Sequence, residues 1–176
     1  MLKIVLLIKD VIVKNRIKTY LNRAKRKIDN FDFELIKEFE DNRQAVNFLY
    51  QNEDIDILIL ENSTGEAFAG LDFVMLAENE FPQSSIILLT DAGEKLDLKY
   101  SNVDNLTSIV NKKGNYISFI NQFKLTLLKH QRKNKAVSKE KQKLNDYRTI
   151  IDHTHDAIFL IEVDCDDNFY YKRING

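Results

Sequence analysis

The stretch "DILILENSTGEAFAGLDF", residues 56–73, decides how the rest of the chain is read. Four consecutive apolar residues, Ile57 to Leu60, stop at an acid, Glu61, and a polar, glycine-containing segment follows. A run this short and this apolar fits a strand buried on both faces, and strands of that kind belong to parallel sheets. The acid at its end then stands where open α/β sheets gather functional groups, outside the carboxyl ends of the strands.

The same pattern recurs on either side. "KIVLLI" (3–8), "FELIKEF" (33–39), "DILIL" (56–60), "SIILLT" (85–90) and "LTSIV" (106–110) read as five strands. Between the first two, Val13, Ile17, Tyr20, Leu21, Ala24 and Ile28 recur three or four apart, one face of a helix. Asp41 or Asn42 caps a second helix that buries Ala45, Val46, Phe48 and Leu49. A third follows Gly70, carries Leu71, Val74 and Met75, and ends at Phe81-Pro82, because proline biases the preceding residue out of the helix. A weak polar helix follows the fourth strand, and another starts near Asn115. Strands alternating with helices imply an α/β fold, a doubly wound five-stranded parallel sheet covered on both faces. Its strand ends present Ile8, Lys9 and Asp10, then Glu61, Thr90 and Lys112.

From about 115 to 151 the period changes. Phe123, His130, Val137, Leu144 and Ile151 recur every seven residues, with Ile120 and Leu127 as a second row that gives way to Asn134, Lys141 and Arg148. This is a long helix able to start a coiled coil, poorly specified in its middle. Its segment 129–143 holds seven Lys or Arg against one Glu, a solvated linker face or a surface for an acidic partner. The tail, "AIFLIEVD" (157–164), "CDDN" and "FYYKRI" (169–174), reads as a β-hairpin, too small to be stable alone.

Composition narrows the function classes. With 176 residues, 44% apolar and 30% charged, the chain fits one domain and part of another. A net charge of −1 argues against non-specific nucleic-acid binding, and no apolar run approaches a membrane span. The start, "MLKIVLLIKD", is broken by Lys9 and Asp10 and reads as a strand, not a signal peptide. A single cysteine, Cys165, excludes an internal disulfide and fits a reducing cytoplasm. No Gly-rich phosphate loop, Ser/His/Asp arrangement or CxxC is legible. His153, His155 and Asp156 read as surface groups, "DCDDN" lacks an EF-hand's length and closing Glu, and no metal or cofactor is expected.

The strand-end residues resemble the receiver domain of two-component signalling over roughly residues 1–122. "IILLTDAG" matches that family's strand-four signature and gives Thr90 the sensing position. "IVNKKGNY" is similar to its strand-five end, with Lys112, or a residue on either side, at the lysine position. The resemblance implies a flavodoxin-like fold in which two acids after strand one and an aspartate after strand three hold magnesium, the aspartate accepting a phosphoryl group. The departures fall on those residues. The acid pair falls on Ile8 and Lys9, with only Asp10 nearby; the acceptor falls on Glu61; the switching aromatic of strand five falls on Ile109. The segment after Glu61, "NSTGEAFAG", is one residue longer than usual. "LNDYRTIIDHTHDAIFLIEVDCDDNFYYKRING" resembles the opening third of a PAS domain, and a receiver joined by a helix to PAS modules is typical of sensory histidine kinases and response regulators. The expected organisation is a receiver-like domain (1–122), a helical linker (123–146) and the start of a PAS-like domain (147–176).

Phosphoryl transfer needs its developing charge neutralised, normally by a divalent cation held by carboxylates. Ile8 offers no ligand and Lys9 brings positive charge. The expectation is therefore a non-enzymatic pseudo-receiver acting through protein partners such as signalling domains or a histidine kinase, and a homodimer through the helix at 115–151. Glu61 is either the centre of a metal-free network with Lys9, Lys112 and Thr90, or an ordinary solvated group. A phospho-accepting receiver is the alternative function, and a small-molecule-binding α/β domain has no motif in its support.

Overall fold

The computed structural model describes residues 1–28, 31–52, 54–62, 70–91, 103–153, 159–163 and 169–173. In chain order the elements are β1 (Leu2–Leu7), α1 (Val11–Lys25), β2 (Phe33–Phe39), α2 (Asn42–Gln51), β3 (Ile57–Glu61), α3 (Gly70–Glu80), β4 (Ser85–Thr90), β5 (Leu106–Asn111), α4 (Tyr116–His153), β6 (Phe159–Val163) and β7 (Phe169–Arg173). β1 to β5 form one sheet in the order β2-β1-β3-β4-β5, and every pair in it is parallel. The expected five-stranded parallel sheet is therefore present.

Alternation along the buried strands explains the layers. Ile57 and Ile59 face α1 and α4, in one core with Ile4, Leu6, Val13, Ile17, Phe119, Phe123 and Leu127. Leu58 and Leu60 face the other way, with Val5, Leu7, Ala45, Leu49, Phe73, Val74 and Ala77. Each fully buried Ile or Leu contributes roughly 1.5–3 kcal/mol by leaving water, so the two faces together dominate the fold's stability. Val46 and Phe48 sit at the edge of their core instead of inside it, and Met75, expected on the buried face of α3, is exposed. Asp41, not Asn42, caps α2, accepting from the Gln44 N–H at 2.9 Å.

The chain divides into two compact units, Met1–Lys133 and Asn134–Gly176, and α4 contributes to both. Phe123, Leu127 and His130 all belong to the first unit, beyond the expected limit at 122, because they pack on the sheet. Phe123 stacks on Phe119 and meets Phe33 edge-on, at centroid distances of 5.7 and 5.1 Å. The heptad row thus begins inside the core: Phe123 and His130 are spent there, a correction to the reading of both as coiled-coil positions.

The second unit holds the rest of α4 and an antiparallel pair, β6 with β7, in register from Phe159↔Arg173 to Val163↔Phe169. The expected hairpin strands are these. The polar helix after β4, most of "NSTGEAFAG", residues 154–156 of the histidine cluster and "DCDDN" lie outside the described residues.

Candidate functional site

In the order β2-β1-β3-β4-β5 the chain turns one way from β1 and the other way from β3, so a crevice opens between the carboxyl ends of these two strands. Glu61, the last residue of β3, reaches across it. Its Oε2 accepts the backbone N–H groups of Lys9 and Asp10, both at 2.9 Å. Its Oε1 lies 3.3 Å from Lys112 Nζ, and the two side chains are only 7% and 11% exposed. A carboxylate this buried is tolerable because two amide dipoles and an ammonium replace its water. Glu61 is therefore part of a network, not an ordinary solvated group.

Lys112 is held from several sides. Its N–H donates to the Thr90 carbonyl at 2.7 Å, which continues the pairing of β5 with β4 by one residue. Its own carbonyl accepts from Arg16 Nη1 of α1 at 2.8 Å. The turn that follows closes with Gly114 N–H on the Asn111 carbonyl. A side chain at 114 would meet that carbonyl at 2.9 Å, so the turn needs glycine. The ammonium of Lys112 also pairs with Asp91 at 3.0 Å. Burial alone would lower its pKa, but the bonds to Asp91 and Glu61 prevail and hold it above the ordinary lysine value. Lys112 in turn holds the Asp91 carboxyl below the usual carboxylate range.

The remaining expected site residues have other employment. Asp10 caps α1, its Oδ1 accepting from Ile12 and Val13 N–H at 2.8 and 3.1 Å. A carboxylate so engaged is turned toward the helix, where the macrodipole favours it. Lys9 meets Glu61 through its backbone N–H. Thr90 is buried at the end of β4, and among the described residues no hydrogen bond joins its hydroxyl to Glu61. Ile109, at the position of the aromatic switch, is exposed. Among the described residues no group of three or more His, Cys, Asp or Glu could hold a metal ion.

Sequence reasoning missed Asp91. It directly follows Thr90, inside the motif already singled out, but its pairing depends on β4 and β5 ending side by side. It also missed a Ser/His/Asp arrangement at the opposite end of the sheet. Ser85 Oγ lies 3.1 Å from His130 Nδ1, and His130 Nε2 lies 3.0 Å from Asp56 Oδ1. The expectation that no such arrangement exists was drawn from motifs and fails in space. Ser85 is 1% exposed and lies within β4, so no substrate can reach its hydroxyl.

No protein-family model matches the sequence, and neither does any curated protein. Solved structures do match. The N-terminal domain of a response regulator/sensory box/GGDEF three-domain protein from Carboxydothermus hydrogenoformans superposes with a TM-score of 0.60 at 17% identity, over 74% of this chain and 97% of that one. A response-regulator receiver domain protein from Clostridium thermocellum gives 0.59 at 15% identity, over 76% and 98%. The response regulatory domain of a Klebsiella pneumoniae protein gives 0.60 at 16%, over 74% and 99%. The fold is the receiver fold. On that fold, Glu61 and Thr90 are the last residues of the third and fourth strands, and Lys112 follows the fifth. No helix among the described residues is long and apolar enough to cross a membrane.

Proposed function

We propose that this chain is a signal-transduction module of the two-component type, a pseudo-receiver that acts through protein contacts without accepting a phosphoryl group. One observation carries the reading: the carboxylate that would have to attack phosphorus is already engaged on both oxygens, by the Lys9 and Asp10 amides and by Lys112. Attack requires that carboxylate turned toward phosphorus and a cation to neutralise the phosphoryl oxygens. Asp10, the acid nearest the end of β1, is committed to capping α1. Glu61 then fills the pocket, with its carboxylate where an incoming anion would otherwise sit. The phospho-accepting alternative has the Lys112 ammonium at the strand-five end in its favour. Incubation with magnesium and a small phosphodonor, read by intact mass, separates the two: no adduct is expected, and a stoichiometric phosphoryl adduct overturns the proposal.

The output we assign to the second unit. Leu144 and Tyr147 are exposed one turn apart on α4, in the part of the helix beyond the sheet. Two such helices in a homodimer would cover them, and the β6–β7 pair is read as the opening of a PAS-like domain. The neighbour from Carboxydothermus, in which a response regulator and a sensory box share one chain, supports that arrangement. Sedimentation of the Leu144→Asp variant tests the dimer: a smaller particle than the parent is expected, and an unchanged mass removes the helix from the interface.

A further inference from the structure

Within the first unit α4 has two faces. Phe119, Phe123, Leu127 and His130 are buried on the inner one, against the sheet. On the outer one Ile117, Leu125 and Leu128 are 67%, 43% and 45% exposed. At about 100° per residue these three fall within roughly a quarter of the helix circumference. Lys124 and Arg132, both exposed, lie on the same face. Single exposed leucines are ordinary, but three aliphatic side chains in one stripe make a patch.

The charge around that patch has one sign. From Asn105 to Lys139 the sequence holds eight Lys or Arg and no Asp or Glu, although the whole chain has 27 acids against 26 bases. Some of these cations serve the fold: Lys129 donates to the Thr107 carbonyl, Lys133 to the Pro82 carbonyl, and Lys112 and Lys113 face Asp91. Lys124 and Arg132 have no hydrogen-bond or ion-pair partner among the described residues.

We propose that the outer face of α4 docks an amphipathic helix of a partner protein, one that carries aliphatic side chains between flanking Asp or Glu. The proposal rests on the reading that this chain acts through protein contacts, and gives that partner its chemistry. Positions 117, 121, 124, 128 and 132 follow one another at three- and four-residue intervals, the spacing at which a second helix packs along a first. Leu125 and Leu128 supply the apolar centre. Lys124 and Arg132 supply the selection, attracting an acidic flank and repelling a basic one. The same charges oppose a symmetric pairing of this face with a second copy, which would set like charge against like. A lipid surface fits less well, because helices that lie in one commonly insert aromatic side chains, and Phe119 and Phe123 are turned into the core. A phosphate backbone is held by cations and has no use for an aliphatic centre.

The test is fluorescence anisotropy of a labelled peptide of about 18 residues, five turns of helix, titrated with the full chain. The peptide has Leu at three- and four-residue spacing and Ala and Glu elsewhere. Saturable binding is expected, about tenfold or more tighter than that of the same peptide with Gln for Glu. Leu128→Asp and Arg132→Glu, both at exposed positions, should each weaken it about tenfold or more. Lys25→Glu, exposed on the β2 side of α1, should change it by less than about twofold. Absence of saturable binding, equal affinity for the Gln peptide, or an equal loss in Lys25→Glu overturns the proposal. So does retention of the parent on phosphatidylserine–phosphatidylcholine vesicles that Arg132→Glu abolishes, which makes the face a lipid surface. Dissociation of a parent dimer by Leu128→Asp gives the face to a second copy and likewise overturns it. A phosphoryl adduct on Glu61 removes the pseudo-receiver reading and leaves peptide binding as it is, so the two fail separately.

Discussion

The two ends of the sheet each hold a carboxylate, and they do so differently. At the carboxyl ends, Glu61 is satisfied by two backbone N–H groups and a lysine. At the amino ends, Asp56 is satisfied by one backbone N–H and a histidine. The Glu61 side chain is almost wholly buried among its partners, whereas that of Asp56 stays partly open to solvent. The more deeply buried carboxylate is thus the one at the end where open α/β sheets gather functional groups.

The largest effect should come from the seam that joins the two ends, α4. Phe123→Ala removes a fully buried ring between Phe33 and Phe119 and should cost about 4 kcal/mol of unfolding free energy by denaturant titration. Leu144→Ala, a member of the same seven-residue row, should change the stability of the first unit by less than about 0.5 kcal/mol, because it is exposed on the second. Equal losses would show that the row is one structure and not two.

Next in size, Lys112→Met leaves Glu61 buried with its amides alone and should cost about 2–3 kcal/mol. Its pH dependence distinguishes the ends. The Lys112 pKa is raised, so its contribution is complete below its ordinary value of 10.5 and disappears as pH climbs through the higher folded value. Asp56 is depressed, so its contribution is complete above its ordinary 3.8 and disappears as pH falls through the lower folded value. Stability profiles should therefore lose their alkaline decline in Lys112→Met and part of their acid decline in Asp56→Asn. Both variants losing the same limb would mean that the two carboxylates are not separately compensated. The smallest expected effect is that of Asp10→Ala, about 1 kcal/mol for a lost helix cap. A loss several times larger would mean that Asp10 supports the Glu61 cradle and not only α1.

The sheet was legible because its strands are short apolar runs between helical patterns, and burial on both faces leaves few other homes for runs like Ile57–Leu60. Glu61, Thr90 and Lys112 were legible because strand ends converge by topology, whatever the side chains. Asp91 was not, since its partner is more than twenty residues away in sequence and adjacent only once β4 and β5 align. His130 was misread for a physical reason. A helix lying on a sheet and a helix in a coiled coil both need a stripe at three- and four-residue spacing, so Phe123, Leu127 and His130 satisfy either pattern. Only the hydroxyl of Ser85 and the carboxylate of Asp56 opposite it distinguish them, and neither is near His130 in the chain.

The central claim is that Glu61 permanently occupies its own anion cradle. The amide resonances of Lys9 and Asp10, followed by NMR as magnesium and a small phosphodonor are added, test it most directly. We expect both resonances to stay in place through saturating additions, since their acceptor is already bound. A saturable shift of either amide, accompanied by a phosphoryl adduct on Glu61, would contradict the account and restore the site to phosphoryl transfer.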